Sequence, residues 1–343
     1  MEGKAITIYD IAKEAGVSTA TVSRVIAGNY PVSEKTKKKV NSIIKEYNFH
    51  PNAVARSLSS KRSRVLGFIT PEITNPFFSQ VFIEVEKHAL EKGYSVLLGN
   101  SLNNRKLESK YIRMLLDQQA EGIILLGGLI NDIYPDTNQV NDLKEIEKKT
   151  KLVTINGKID GVGSLSVCTD EGKGIEMVVD HLVELGHSKI GIIGGMERIT
   201  TTQVKIKAFK QALKNHQLEF KDSWQIYSGY DIESGDSGLK TLVDTNTDFP
   251  TALIGINDMV AIGLVKGNRK LNRDLAFVGY DNTDLAIASS PELTSVSHPY
   301  SDLGKTAIDL MDKDLDNKNH KDIILDPILI QRESTLLKNL KTE

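Results

Sequence analysis

The chain has 343 residues, of which 40% are hydrophobic and 26% charged, enough for more than one domain and a large core. It contains no apolar run long enough to span a membrane, and its single cysteine, Cys168, excludes an internal disulfide. The net charge of −2 conceals a split, because residues 1–64 carry 12 Lys and Arg against 5 Asp and Glu. A basic head on an acidic body suits a protein whose head alone contacts phosphates.

The first predicted elements are two short helices joined by a tight turn within residues 7–28. Thr7 is a suitable N-cap for the first helix, whose apolar residues at positions 8, 11, 12 and 15 share one face. Gly16 ends that helix, and Ser18 caps a second one with an apolar inner face. A third helix is predicted from Ser33, with a run of lysines at positions 35, 37, 38 and 39.

The outer face of the second helix is suited to the major groove of DNA. Thr19, Ala20 and Ser23 are short, and Arg24 offers two donors to a guanine edge. This is the helix-turn-helix layout, in which the second helix reads bases. The alternative is a small helical hairpin with a solvated polar face, and the lysine run is open to the same interpretation.

The rest of the chain alternates predicted strands and helices. Strand-like apolar runs, separated by amphipathic segments, begin at residues 65, 95, 122 and 152, and a second series begins at 190, 224, 252 and 276. This alternation predicts an α/β body of two doubly wound parallel-sheet lobes. Ligands bind at the carboxyl ends of such strands, so we expect a cleft between the lobes.

Polar and aromatic residues cluster at the predicted strand ends. Phe77 and Phe78 follow the first strand of the body, Asn257 and Asp258 end a later strand, and Asp281 ends the next. Each residue alone is equally explained as a helix cap or a core aromatic. Together they predict a pocket in which carboxylates and amides bind hydroxyl groups and aromatic rings cover the C–H side of a sugar.

The head resembles that of the LacI/GalR family of bacterial transcription regulators. The motifs that carry the resemblance are Thr7-Ile-Tyr-Asp-Ile-Ala, Gly16-Val-Ser, Thr21-Val-Ser-Arg-Val, Val32-Ser-Glu-Lys-Thr and Pro51-Asn-Ala-Val-Ala-Arg-Ser-Leu. The resemblance covers the whole chain. It implies a helix-turn-helix head (1–50), a hinge helix and linker (51–64), and a two-lobed, periplasmic-binding-protein-like effector-binding and dimerisation domain (65–343).

The resemblance also implies the residues that contact DNA. By spacing, Leu58 is the hinge leucine that inserts into the central base step and kinks the duplex. The pattern and the resemblance together predict DNA contacts by Thr7, Tyr9, Ser18, Thr19, Ala20, Thr21, Ser23, Arg24, Asn29, Asn52, Ala53, Arg56 and Leu58.

For the body, the resemblance implies three crossings between the lobes, near residues 157–163, 290–292 and 326. Lobe one then comprises about 65–157 and 293–325, and lobe two about 163–290 and 327–340. It also places at Tyr230 an aromatic ring that stacks on the effector. The expected effector contacts are Phe77, Phe78, Asn156, Lys205, Tyr230, Asn257, Asp258 and Asp281.

The chain departs from the family pattern at two arginines. Sugar- or purine-binding members carry arginine at the positions of Lys205 and Asn156, and a lysine does not replace a bidentate guanidinium. Because Lys205 has no obvious local partner, we expect a sugar or sugar derivative with an anionic or strongly polar substituent. The alternative is that Lys205 pairs with Asp281 or Asp258.

The expected partners are a pseudo-palindromic operator, a sugar-like effector and a second copy of the chain. The second copy is expected because one small head cannot hold a DNA site alone.

The expected function is repression of a carbohydrate-utilisation operon. The chain also resembles ribose-operon repressors and the carbon-catabolite branch of the family, whose corepressor is a phosphorylated carrier protein. That alternative needs a basic helix near residues 301–316, where this chain carries five aspartates.

The sequence contains no Walker loop, nucleophile elbow, dinucleotide fingerprint or His-x-x-x-His pair, so we expect no enzyme, cofactor or metal site. A transport binding protein is the third alternative, which the basic head and the lack of a signal segment before Thr7 disfavour. We therefore expect a cytoplasmic protein.

Overall fold

The computed structural model describes residues 6–27, 31–49, 63–159, 161–162, 165–312 and 322–336. The chain divides after Arg64 into two units, residues 1–64 and residues 65–343, here called the head and the body. Each is described by itself.

The described part of the head contains helices α1 (Ile8–Ala15), α2 (Thr19–Ala27) and α3 (Glu34–Glu46). Their inward faces form one small core, made by Ile11, Ala12, Ala15, Val22, Val40 and Ile43. Gly16 adopts the left-handed conformation (φ +66°), and its N–H caps the carbonyls at the end of α1. This turn sends the chain into α2 and produces the helix-turn-helix geometry.

The body is built from two sheets covered by helices. Its described strands are β1 (Val65–Thr70), β2 (Ser95–Asn100), β3 (Gly122–Leu126), β4 (Lys151–Ile155), β5 (Leu165–Thr169), β6 (Ile190–Ile193), β7 (Gln225–Ile226), β8 (Ala252–Gly255), β9 (Ala276–Asp281), β10 (Thr294–Ser297), β11 (Ile323–Leu325) and β12 (Ile328–Ile330). Its described α-helices are α4 (Pro76–Glu91), α5 (Arg105–Asp117), α6 (Thr137–Glu147), α7 (Glu171–Glu184), α8 (Thr200–Asn215), α9 (Ile232–Thr245), α10 (Asp258–Leu271), α11 (Asp284–Ala288) and α12 (Tyr300–Asp312).

The two sheets define the two lobes. Lobe one has the strand order β11-β5-β4-β3-β1-β2, and lobe two has the order β12-β10-β9-β8-β6-β7. Neighbouring strands run parallel, except that β12 is antiparallel to β10. The predicted α/β class and the two doubly wound lobes are therefore confirmed.

Alternation along the strands explains why both faces of each sheet are covered. In β1, Phe68 packs into one core cluster of lobe one and Ile69 into the cluster on the opposite face. Ile124 and Leu125 alternate in the same way in β3. A parallel sheet buried on both faces requires this pattern of consecutive apolar residues.

Two of the three expected crossings lie elsewhere. Strand β5 pairs with β4 and belongs to lobe one, so the chain enters lobe two at residue 170 rather than at 157–163. Strand β10 pairs with β9 and belongs to lobe two, so the return lies at 298–299 rather than at 290–292. Both expectations were wrong because the loops before these short strands resemble linkers, yet the strands complete the preceding sheets. The third crossing lies at 326–327, between β11 and β12.

In the part of the chain that the structure describes, no helix has the length and apolar character needed to cross a membrane.

Candidate functional sites

The start of α1 is organised by a reciprocal cap. The N–H and the hydroxyl of Thr7 both donate to the Asp10 carboxylate, at 2.9 and 2.6 Å. Beside this cap, the Tyr9 side chain is 73% exposed. Thr7 thus fixes the helix end, and Tyr9 is available for contact with another molecule.

Helix α2 presents a polar face to solvent. Ser18 caps it, since its Oγ accepts from the N–H of Thr21 at 3.2 Å. Ala20 and Arg24, one turn apart, are exposed, whereas Val22 is fully buried in the head core. Thr19, Thr21 and Ser23 are half-buried at the edges of this face. The predicted polar outer face and apolar inner face of α2 are therefore present, and its contact with bases stays a prediction.

The lysine run on α3 is only partly available for phosphates. Lys35, Lys38 and Lys39 are exposed, but Lys37 Nζ lies 2.9 Å from Glu34 Oε1 within its own helix. The remaining expected DNA contacts, Asn29, Asn52, Ala53, Arg56 and Leu58, lie outside the described residues, and their roles stay predictions.

A cavity of about 660 Å³ lies between the two lobes, at the carboxyl ends of the strands. Seven of the eight residues expected to contact an effector line it: Phe77, Phe78, Asn156, Lys205, Tyr230, Asn257 and Asp281. The rings of Phe77 and Phe78 pack edge to face, with centroids 5.2 Å apart. The helix that carries these rings starts at Asn75, whose side chain caps α4.

Asp258 does not line the cavity. Its side chain is buried, with one carboxylate oxygen accepting from the N–H of Thr283 at 2.6 Å and the other from the Ser295 hydroxyl at 2.5 Å. Burial, and secondarily the nearby Asp281 carboxylate, raises the pKa of Asp258 to about 7. Asp258 ties α10 to the ends of β9 and β10, so the expectation that it contacts an effector is wrong.

Asn257 and Tyr230 form part of the cavity wall through contacts with the protein. Asn257 Oδ1 caps α10 by accepting from the N–H of Val260 at 2.9 Å, and its Nδ2 donates to the Tyr230 carbonyl at 2.9 Å. The Tyr230 hydroxyl lies 2.6 Å from the Thr202 hydroxyl. Both groups of the Asn257 amide are thus engaged, and its main effect is to hold Tyr230 in place.

Lys205 has close partners. Its Nζ lies 3.1 Å from Glu171 Oε2, donates to the Ile256 carbonyl at 3.1 Å and lies 3.5 Å from the centroid of the Tyr280 ring. The side chains of Lys205 and Glu171 are only 8% and 10% exposed. The expectation of an unpartnered cation is therefore wrong. The ion pair is made with Glu171 rather than with Asp281 or Asp258, and the charge of Lys205 acts on the nearby Asp281 carboxyl without a direct ion pair. Glu171, the first residue of α7, was missed because it lies 34 residues away along the chain.

Asp281 is paired with a histidine that the sequence analysis also missed. His298 Nε2 lies 3.3 Å from Asp281 Oδ1, and its Nδ1 lies 2.8 Å from the Thr169 hydroxyl. Burial raises the pKa of Asp281, whereas His298 and Lys205 oppose that shift. The ring of His298 also lies 4.8 Å from that of Phe77. His298 directly follows β10, which the sequence pattern did not identify as a strand. With that strand assigned, His298 would have been a candidate for the cavity like the residues at the other strand ends.

Two amide side chains in the cavity have unused hydrogen-bonding groups. Asn156 Oδ1 accepts from the N–H of Thr169 at 2.7 Å, but its buried Nδ2 has no hydrogen-bond partner among the described residues. The same holds for the buried Oδ1 of Asn131. Asn131 lies against Gly157, where a Cβ would collide with its Oδ1. Both residues line the cavity, and these two shielded atoms become a donor and an acceptor for a bound molecule once the amides rotate toward it.

The wall of the cavity also contains three charged residues that the sequence did not indicate, Arg105, Asp132 and Arg198. Arg198 Nη2 donates to Asp132 Oδ2 at 2.6 Å, and Arg105 contacts the same oxygen. Beside them, the N–H of Ile133 donates to the Arg198 carbonyl at 2.9 Å. These residues lie in irregular segments or at a helix end, where periodicity carries no signal.

No group of three or more His, Cys, Asp or Glu side chains within the described ranges has an arrangement that could hold a metal ion.

Comparison with known proteins identifies the family. A profile described as "Bacterial regulatory proteins, lacI family" matches residues 7–52, and one described as "Periplasmic binding protein-like domain" matches residues 179–335. Catabolite control protein A of Staphylococcus xylosus is 35% identical over 92% of this chain and 95% of its own length. The ribose operon repressor of Haemophilus influenzae is 29% identical over 96% of this chain and 98% of its own length.

The structural comparison agrees with these matches. The crystal structure of the lac repressor dimer bound to operator and the anti-inducer ONPF superposes with a TM-score of 0.85 at 26% identity, covering 97% of this chain and 100% of that one. The resemblance found in the head motifs is thereby confirmed over nearly the whole chain. The chain belongs to the lacI family of bacterial regulatory proteins.

Proposed function

We propose that this chain is a cytoplasmic, sequence-specific DNA-binding repressor of a carbohydrate-utilisation operon. The observation that carries this proposal is the exposed face of α2, where Ala20 and Arg24 lie opposite the buried Val22. A helix with short side chains and one forked donor fits the major groove and reads guanine. The family consists of regulators, which agrees with the absence of catalytic motifs from the sequence.

The proposed repressor acts as a homodimer on a pseudo-palindromic operator. A single three-helix head contacts one half-site, and a two-fold pair of heads doubles the number of phosphate and base contacts. The related lac repressor was crystallised as a dimer on its operator, which supports the same assembly for this chain.

The proposed effector is a small, uncharged, polyhydroxylated molecule bound in the cavity between the lobes. Asn131 and Asn156 line the cavity, and each has one amide group without a hydrogen-bond partner among the described residues. A hydroxyl group satisfies both the donor and the acceptor once these amides rotate toward it. The rings of Phe77 and Phe78 offer apolar faces to the C–H groups of a sugar. An anionic substituent is no longer expected on the effector, because Glu171 already neutralises Lys205.

Binding-site selection tests the DNA-binding part of the proposal. The full chain is incubated with random duplexes, and bound sequences are amplified and read. We expect the selected sequences to share a consensus with two-fold symmetry. The affinity of the protein for this consensus should fall as the salt concentration rises. Recovery of sequences without any shared half-site would refute sequence-specific recognition.

A thermal-shift screen tests the effector. Neutral pentoses, hexoses and polyols are compared with their phosphorylated forms, since a molecule that binds the folded state raises its melting temperature. A hit is then titrated into the protein–operator complex. The effector must change operator affinity by the same factor by which the operator changes effector affinity.

A second candidate function is global carbon-catabolite control with a phosphorylated carrier protein as corepressor. The 35% identity to catabolite control protein A favours it. Helix α12 opposes it, because Asp302 is exposed there and Asp309 and Asp312 pair with Lys92 rather than leaving a basic surface. Binding of a phosphorylated carrier protein to this chain, without binding of the unphosphorylated form, would establish this second function instead.

A further inference from the structure

We infer that the ion pair between Asp132 and Arg198, here called the latch, holds the two lobes together beside the cavity, and that Arg105 weakens this latch. The inference rests on the proposed function in one respect, because lobe closure regulates the same cavity that the effector would occupy.

The Asp132 carboxylate is positioned for this role by its own lobe. Its side chain is 1% exposed, and its Oδ1 accepts from the N–H of Tyr134 at 3.0 Å. The other oxygen, Oδ2, accepts from Arg198 at 2.6 Å. Asp132 follows β3 in lobe one, whereas Arg198 precedes α8 in lobe two. This charge-assisted hydrogen bond therefore crosses from one lobe to the other.

Backbone contacts accompany the ion pair. The N–H of Ile133 donates to the carbonyl of Arg198 at 2.9 Å, and Asp132 and Ile199 form an isolated antiparallel bridge. Separating the lobes at this point breaks these contacts together with the ion pair. The amide proton of Ile133 is consequently a direct reporter of opening.

Arg105 competes for the same carboxylate oxygen. It lies at the start of α5 in lobe one, and contacts Asp132 Oδ2, as Arg198 does. When the lobes separate, Asp132 loses Arg198 but keeps Arg105, so its charge stays neutralised. Glu108 and Asp136 are the other acidic groups that act on Arg105, and both lie in lobe one. They move with Arg105 and Asp132 rather than with Arg198.

The two arginines therefore have opposite effects on the equilibrium between closed and open lobes. Arg198 stabilises only the closed arrangement, because it pairs with Asp132 only when the lobes are together. Arg105 stabilises the open arrangement more than the closed one, because without it opening would leave a carboxylate unpaired. An effector bound in the cavity would be released at a rate set by the balance between them.

Hydrogen exchange of the full chain, followed at the Ile133 amide, tests this inference without DNA or effector. We expect Arg198→Gln to accelerate exchange about three- to fivefold, the range for a half-exposed ion pair. Arg105→Gln should slow it by a comparable factor. Arg198→Lys, which keeps the charge, should recover part of the protection.

Arg113→Gln is the matched control, because Arg113 pairs with Asp142 within lobe one. It should leave exchange at Ile133 unchanged, and exchange in β1 and β8 should be the same in all variants if each is folded. Unchanged exchange in Arg198→Gln would overturn the latch. Acceleration by both Arg198→Gln and Arg105→Gln would overturn the opposing role of Arg105. Failure of operator or sugar binding would refute the proposed function without affecting either result.

Discussion

Replacing Lys205 by methionine separates a structural role of this residue from an effector-binding role. The substitution keeps the length and apolar stem of the side chain but removes its charge. Glu171 then remains in a nearly buried position without its cation, and the Ile256 carbonyl loses its donor.

The expected cost is large because both partners are shielded from solvent. Their side chains are 8% and 10% exposed, so the screening that weakens surface ion pairs is largely absent. Removing one partner of a buried pair costs about 3–5 kcal/mol. Replacing Glu171 by methionine as well removes the uncompensated charge, and the double variant should cost no more than about 2 kcal/mol.

Urea unfolding followed by fluorescence measures this effect. Trp224 is the single tryptophan of the chain, 3% exposed in the core of lobe two, where both partners lie. The midpoint of its transition therefore reports on the affected lobe. Lys189→Met is the control, since Lys189 pairs with Asp248 at the surface of the same lobe, and it should cost less than about 1 kcal/mol.

Two results would refute the reasoning. One is a cost of less than about 1 kcal/mol for Lys205→Met, and the other is a double variant at least as unstable as the sum of the two single variants. Normal stability together with complete loss of sugar binding would instead show that Lys205 contacts the effector directly.

Three further predictions concern the head, the amides and one acid. Arg24→Ala should weaken operator binding by about 1–3 kcal/mol and relax base preference at one position of each half-site; an unchanged selected consensus would make Arg24 a phosphate contact. Asn131→Leu should abolish the thermal shift produced by a neutral sugar, and so should Asn156→Asp, which keeps the oxygen bonded to the Thr169 N–H but removes the Nδ2 donor; an unaltered shift would place the sugar elsewhere. Burial raises the pKa of Glu108 from 4.5 to about 7, so the folded state favours its protonated form. Stability should fall as pH rises from about 4.5 to about 7, and equal pH dependence of the urea midpoint in Glu108→Gln would exclude this acid as the cause.

The elements that could be predicted from the sequence are those defined by local patterns. The apolar spacing in α1 and α2 and the left-handed turn at Gly16 depend on neighbouring residues, and so do the long apolar runs of β1 and β3. Strands β5 and β10 could not be assigned to their lobes in this way. They are short, and which sheet they join depends on partners distant in the chain.

The cavity shows the same limit at the level of single side chains. Asn257 and Asp258 are consecutive residues at one strand end, yet only Asn257 lines the cavity. The direction of the Asp258 carboxylate is set by Thr283 and Ser295, which reach it from later segments. Similarly, the partner of Lys205 is determined by the packing of α7 against α8, which no local spacing reveals.

The three connections between the lobes have a mechanical consequence. The connection at residue 170 touches both others, because the N–H of Asp170 donates to the Leu325 carbonyl at 2.9 Å and the Thr169 hydroxyl lies 2.8 Å from His298 Nδ1. Three adjacent connecting segments allow the lobes to bend about the line that joins the segments, but they resist twisting and sliding of one lobe against the other. We therefore expect the lobes to move relative to each other by rotation about this line. Since His298 both lines the cavity and forms part of this axis, a molecule that contacts it acts on the pivot itself.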